Sequence, residues 1–183
     1  MINFSKIADN IPVAAVLTQL FAAPQLWDQY LERTKCPDSP HAQSSDIWVR
    51  FRPRAEITES KHFDEPHLSV FYPAWYHLPA FRPIVFGIMA TVQAVHLGGI
   101  LITRIPPGAS ILPHVDKGWH AEYMNAKAYV ILQANEHCIN RCGDEEVVMR
   151  PGESWLFNNL IEHSVHNGGD QDRIAAVITM RIE

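Results

Sequence analysis

Along the second half of the chain, apolar and polar positions alternate in short runs separated by proline and glycine. This is the period-two signature of half-buried strands. Ile100 to Ile105 predicts one strand, stopped by Pro106-Pro107-Gly108, and Ala126 to Gln133 predicts another. Cys142-Gly143-Asp144, Pro151-Gly152 and Gly168-Gly169-Asp170 mark turns. Between them, Glu145 to Met149, Glu153 to Phe157 and Ile161 to His166 are each of strand length. In the last run Ile174, Ala176, Ile178, Met180 and Ile182 share one face, while Arg173, Val177 and Thr179 point the other way. Eight strands in residues 100–183 give ~10.5 residues each, within the ~8–12 spacing of sandwiches and jelly rolls. The expected fold is mainly β with flanking helices (α+β), a helix-covered pair of sheets.

The first 99 residues have a different texture. Asn10-Ile11-Pro12 reads as a helix start, followed by Val13, Val16, Leu17 and Leu20 at helical spacing. Pro24 opens a second helical pattern carrying Leu26, Trp27, Tyr30 and Leu31. Residues 35–45 read as loop and Ile47 to Phe51 as a strand. Five prolines between residues 53 and 83 predict extended segments and loops there. Ile84 to Leu97 predicts a mostly buried helix stopped by Gly98-Gly99. With 183 residues and no internal repeat, one domain is expected: 1–99 as its helical and extended flank, 100–183 as its core.

Composition narrows the function classes. Hydrophobic residues at 47% and charged residues at 19% describe a globular chain. The net charge of −5 comes with no lysine/arginine block, which argues against nucleic-acid binding and against a polybasic membrane-surface mode. No apolar run approaches the ~18 residues needed to span a bilayer. Met1 to Lys6 lacks the layout of a secretory signal. Three cysteines cannot all pair within one chain, which fits a reducing, cytoplasmic setting. Cys138 and Cys142 are close enough in sequence to bridge or to share a metal, but a second cysteine pair for structural zinc is missing. Ten histidines supply imidazoles, common metal ligands that titrate near neutrality.

His114-Val115-Asp116 is the first chemical candidate. In an extended chain, side chains at i and i+2 project to one side, so an imidazole and a carboxylate can reach one ion together. A third ligand must come from elsewhere, and His163 on a late strand is available. Two histidines and a carboxylate on one face of an octahedral ion leave three adjacent positions open, the ligand set of non-haem iron(II) oxygenases. A His-x-Asp triplet by itself has little specificity, and an exposed loop is its ordinary alternative. His166 is the rival third ligand, but three residues past His163 it points to the opposite strand face.

Ile105 through Pro113 to His114-Val115-Asp116 resembles the metal-binding strand of the aspartyl/asparaginyl β-hydroxylase family. Arg150-Pro151-Gly152-Glu153-Ser154-Trp155-Leu156-Phe157-Asn158-Asn159 with Ile161-Glu162-His163-Ser164-Val165 resembles its distal-histidine region, and Asp172-Arg173-Ile174 its co-substrate strand. The likeness covers residues 100–183 well and Ser39-Pro40-His41 to Phe51 more loosely. It implies a double-stranded β-helix (a cupin-like jelly roll) with iron(II) and dioxygen. It also implies a 2-oxoglutarate-dependent hydroxylase, in which 2-oxoglutarate becomes succinate and carbon dioxide as a substrate C–H bond is hydroxylated. The implied substrate is an amino acid, a peptide or a related small molecule.

Within this resemblance, His114, Asp116 and His163 hold iron. Arg173 pairs with the far carboxylate of 2-oxoglutarate, for which a guanidinium offers two parallel charge-assisted hydrogen bonds. Where many members carry Arg-x-His, this chain has Lys127-Ala128-Tyr129, so an ammonium and a phenol are the expected co-substrate contacts. Thr103 aligns with a small hydroxyl residue near the co-substrate. Arg50 and Arg52 alternate on one strand and are candidates to meet an acidic substrate group, while His120 is a candidate for the site mouth. Two other readings stay open: a cupin-like metalloprotein that does not use 2-oxoglutarate, and a non-catalytic jelly-roll binding module.

Overall fold

The computed structural model describes residues 2–183. In chain order the elements are β1 (Phe4–Ala8), α1 (Ala14–Ala22), α2 (Glu32–Lys35), β2 (Ser45–Phe51), β3 (Val70–Phe71), α3 (Pro73–His77), α4 (Arg82–Thr91), β4 (His96–Ile105), β5 (Ser110–His114), α5 (Trp119–Glu122), β6 (Ala126–Gln133), β7 (Cys138–Cys142), β8 (Glu145–Val148), β9 (Ser154–Phe157), β10 (His163–Asn167) and β11 (Arg173–Arg181). Antiparallel pairing builds a seven-stranded sheet, β1-β9-β6-β11-β4-β2-β3, and a four-stranded sheet, β5-β10-β7-β8. The eight strands of the second half form the double-stranded β-helix. Three strands of the first part, β1, β2 and β3, pair into the large sheet, so this part extends the barrel as well as flanking it.

Strand parity decides what each face does. On β6 and β11 the even positions Ala128, Val130, Leu132, Ile174, Ala176, Ile178 and Met180 are buried against α1, α3 and α4, where Val16, Leu20, Trp75, Val85 and Ile88 complete the main core. Burial of each such aliphatic side chain contributes about 1.5–3 kcal/mol. The odd positions face the small sheet. Tyr129, Ile131 and Ala175 pack there with Met149 and Phe157.

Three local expectations need correction. The pattern from Pro24 to Leu31 forms only a short 3-10 turn, Pro24–Leu26, because Trp27 turns extended and Asp28 takes φ +57°. The 53–83 region is more helical than extended, with 3-10 turns at Arg54–Glu56 and Pro79–Phe81 and α3 between them; prolines at first helical turns start these segments. The helix expected to run to Leu97 ends at Thr91, and Gly98-Gly99 lie inside β4 rather than at a helix stop. A Cβ on Gly98 would sit 2.5 Å from Thr179 Oγ1, so Gly98 allows close packing of β4 against β11, while Gly99 leaves room for Phe51 and His120.

Candidate metal centre

His114 ends β5 and His163 begins β10, and the two are directly opposed across the antiparallel β5–β10 pair. This pairing brings together residues 49 positions apart. Asp116 lies just past β5, where its backbone N–H donates to the Asn159 carbonyl at 3.0 Å. The ligating atoms of His114, Asp116 and His163 all lie within 4.8 Å of one another, the one such trio among the described residues. Asp116 Oδ1 is 3.6 Å from His114 Nε2 and 3.9 Å from His163 Nε2.

Hydrogen bonds fix the direction of each group. His114 Nδ1 donates to the Leu112 carbonyl at 2.8 Å and His163 Nδ1 to the Ile161 carbonyl at 2.9 Å. A carbonyl only accepts, so both imidazoles carry the proton on Nδ1 and present an Nε2 lone pair to the cluster. Burial pushes the His163 imidazolium down to about 4 and lowers that of His114, keeping both rings neutral near pH 7. The Asp116 carboxylate is held on one side only: Lys127 Nζ and Asn159 Nδ2, the latter at 3.0 Å, both donate to Oδ2. Burial alone would raise the Asp116 carboxyl, but the Lys127 ammonium, the nearby His163 and the Asn159 bond outweigh it and bring it to about 2. Oδ1 is left facing the histidines. Two neutral imidazoles and one ionised oxygen, each oriented by an outer partner, suit a divalent transition ion.

His166 lies on the other face of β10, exposed, with its Nδ1 2.9 Å from Ser110 Oγ, and does not join the cluster. A cavity of about 480 Å³ opens beside the cluster; His114, Asp116 and Lys127 line it, as do His41, Phe51 and Trp48.

The remaining expected site residues are placed less uniformly. Lys127 is occupied by Asp116 and lies over the Phe157 ring. Phe157 stacks on Tyr129 with centroids 4.4 Å apart, and the Arg173 guanidinium lies 5.1 Å over the other side of that stack, at the Tyr129 ring. Arg173 is fully buried between the sheets and does not line the cavity. It donates to the neutral Asn140 Oδ1 at 2.8 Å, while its Nε has no partner. A desolvated guanidinium facing only an amide and an aromatic ring is an uncompensated buried cation, which a ligand carboxylate would neutralise. Thr103 instead donates to Asp46 Oδ1 at 2.8 Å.

Arg50 and Arg52 are tied elsewhere. Arg50 donates to the Leu97 and Gly98 carbonyls, and Arg52 to the His62 carbonyl and to Glu56 and Glu65. The arginine that does line the cavity is Arg33, which sequence reading missed because α2 has only four residues and no strand pattern marks it. His120 lines the cavity, stacked on Phe51 at 5.0 Å, with its Nε2 3.2 Å from His67 Nε2. Burial brings its imidazolium down to about 3. Cys138 and Cys142 are unbridged and buried on one strand; their thiols donate to Asn167 Oδ1 and to the Asn158 carbonyl.

Fold and cluster together define a double-stranded β-helix protein with two histidines and one carboxylate converging on one point. Over residues 73–181 the chain matches the aspartyl/asparaginyl beta-hydroxylase family, and it belongs to that family. No curated protein matches it significantly. Among solved structures, it is similar in fold to a prolyl hydroxylase from Trichoplax adhaerens, solved with a hypoxia inducible factor oxygen degradation domain peptide fragment. That likeness has TM-score 0.62 at 11% identity, over 98% of this chain and 83% of the other. It is also similar to the viral collagen prolyl hydroxylase of Paramecium Bursaria Chlorella virus-1 in its 2OG complex, with TM-score 0.55, 12% identity and coverage of 100% and 97%. An oxidoreductase of the 2OG-Fe(II) oxygenase family from Burkholderia pseudomallei gives TM-score 0.52, 13% identity and coverage of 95% and 92%. Among the described residues, no helix is long and apolar enough to cross a membrane.

Proposed function

We propose that the chain is an iron(II)- and 2-oxoglutarate-dependent dioxygenase that hydroxylates an unactivated C–H bond of an amino-acid, peptide or related small substrate, releasing succinate and CO2. The observation that carries this reading is the convergence of His114 Nε2, Asp116 Oδ1 and His163 Nε2 with both imidazole tautomers fixed. When bound, iron with 2-oxoglutarate and dioxygen supplies the oxidising power for hydroxylation.

The chain's own residues do the positioning. His114, Asp116 and His163 would hold the metal, at the edge of the cavity that His114 and Asp116 line. Lys127 and Asn159 occupy Asp116 Oδ2, so Oδ1 is the carboxylate oxygen that would be offered to the metal. Arg173 takes the far carboxylate of 2-oxoglutarate, replacing its present neutral partner Asn140 with an anion. Tyr129 and Phe157 stack between His163 and Arg173, and their rings would keep water from the anion paired with Arg173. The peptide held by the Trichoplax relative supports including peptides among the substrates.

Aerobic incubation with iron(II), ascorbate and 2-oxoglutarate tests the proposal. Succinate should form, and its formation should disappear in His114→Ala and Asp116→Ala. Stoichiometric metal without 2-oxoglutarate consumption would favour a cupin-like metalloprotein instead. Failure to bind metal after reconstitution would favour a non-catalytic module.

A further inference from the structure

The wall of the cavity next to His114 is built of hydrogen-bond donors. Arg33 Nη1 donates to Asp46 Oδ2 at 2.5 Å, and Arg33 Nη2 donates to His41 Nδ1 at 2.9 Å. An arginine only donates, so His41 accepts on Nδ1 and carries its proton on Nε2. The His41 and His114 rings are nearly perpendicular with centroids 4.9 Å apart, and both line the cavity. Of the five guanidinium N–H bonds of Arg33, two are used by Asp46 and His41. The other three are unclaimed among the described residues, and Arg33 lines the cavity.

This edge is fixed before any ligand arrives. The Asp46 carboxylate is fully buried, and it accepts from Thr103 Oγ1 as well as from Arg33. The segment carrying His41 is fastened to the metal strand by the Leu112 N–H, which donates to the Pro40 carbonyl at 2.9 Å. Ser39 Oγ donates to the Arg33 carbonyl and accepts from the His41 N–H, closing the 33–41 loop on itself. The rings of Trp48, Phe51, Phe63 and His120 also line the cavity. The cavity therefore combines a preorganised fork of donors with aromatic walls. A small acid of amino-acid size, with its carboxylate on the fork and its carbon skeleton against the rings, fits both.

We propose that Arg33 and His41 form the substrate's carboxylate-binding subsite, so that the substrate is a small free carboxylic acid whose C–H is presented to the metal from the Arg33 side of the cavity. This rests on the iron/2-oxoglutarate reading above. The acidic-group contact expected of Arg50 and Arg52 passes to Arg33, because Arg33 lines the cavity and those two arginines do not.

The test is a binding measurement on protein loaded with Co(II) and 2-oxoglutarate, which does not turn over. The probes are the twenty free amino acids, each paired with its own carboxamide and with its N-acetylated carboxamide as a peptide mimic. Binding is read from the Co(II) visible spectrum and by calorimetry. The expected result is at least one free acid that binds ten times or more tightly than its carboxamide. That preference should collapse to less than about threefold in R33M, with Co(II) affinity retained. Because R33M strands a buried carboxylate and puts folding at risk, the double variant R33M/D46N is measured beside it. The amide that D46N introduces still accepts from Thr103 and carries no charge. H41F should cut the same preference severalfold.

A loaded protein with no acid-over-amide preference, or a preference that survives both Arg33 variants, overturns the proposal. Tightest binding of a peptide mimic overturns it too, by moving the substrate to a chain-internal residue. A wild-type spectrum unmoved by Co(II) or 2-oxoglutarate is a different result, because it sinks the oxygenase reading on which this one rests.

Discussion

The two faces of β6 and β11 are made from the same backbone and differ in almost everything else. Facing the helices are Ala128, Val130, Leu132, Ile174, Ala176, Ile178 and Met180, all buried and none with a polar side-chain atom. On the other face, one residue out of step, Lys127, Tyr129, Arg173 and Thr179 are interleaved with apolar Ile131, Ala175 and Val177. The first row supplies stability by removing apolar surface from water. The second buries a guanidinium with one neutral partner and an ammonium on a carboxylate, which costs stability unless ligands complete it. Alternation along a strand thus lets one element pack a core and furnish a site without either face compromising the other.

Substitutions on the two rows should separate these roles, and the largest effects fall on the site side. His114→Ala, Asp116→Ala or His163→Ala should each weaken divalent-metal binding by more than about a hundredfold, since outer partners alone are worth 10–100-fold. The melting temperature of metal-free His114→Ala should stay nearly unchanged, whereas that of Asp116→Ala should fall because the Lys127 ammonium loses its carboxylate; calorimetric metal titration beside thermal melts checks both. Next, Arg173→Met should weaken 2-oxoglutarate binding by about a hundredfold, the usual scale for truncating a buried charged partner. It should leave the metal-free fold as stable as before or more so, because an uncompensated buried cation is removed. Ile178→Ala, one strand face away, should do the reverse: a loss of about 2–5 kcal/mol in urea unfolding with metal and 2-oxoglutarate affinities intact.

A smaller effect comes with pH. Burial holds the imidazolium pKa of His120 at about 3 and, in the metal-free protein, that of His163 at about 4, both below the ordinary value of about 6.5. Such a histidine takes its proton more readily when unfolded, so its stabilising contribution is complete above pH 6.5 and is lost as pH falls toward the folded value. Metal-free protein should therefore lose about 1–3 kcal/mol per pH unit between pH 6 and 4.5, read from urea midpoints, with a shallower slope in His120→Gln. The Asp116 carboxylate, depressed to about 2, adds a further loss only below about pH 4. His166→Ala, on the exposed face of β10, should change neither metal affinity nor stability measurably.

What the sequence made legible follows the same division. The converging trio could be named because i, i+2 spacing puts His114 and Asp116 on one side of an extended chain, and because the family resemblance picks His163 where parity sends His166 to the other face. The helix-facing row of β11 was readable from its alternation. Gly98-Gly99 were misread because glycine stops helices and also permits close strand approach, and only the position of Thr179 decides between the two. The Lys127–Asp116 pair, the Asn159 bond and the arrival of Arg33 at the cavity depend on pairing between distant strands and on a short helix, for which no local pattern exists. Arg50 and Arg52 showed the converse: alternation placed them on a strand, but carbonyls and glutamates brought near by the fold claimed their donors.

The central claim is that His114, Asp116 and His163 bind one iron with room left for a chelating keto acid. Anaerobic titration of the metal-free protein with iron(II) in the presence of 2-oxoglutarate tests this most directly, through the visible charge-transfer band of an iron-chelated 2-oxo acid. The account predicts a band that saturates at one iron per chain, is absent in His163→Ala and is unchanged in His166→Ala. A full band in His163→Ala, or no band in the wild-type protein with iron bound, would contradict it.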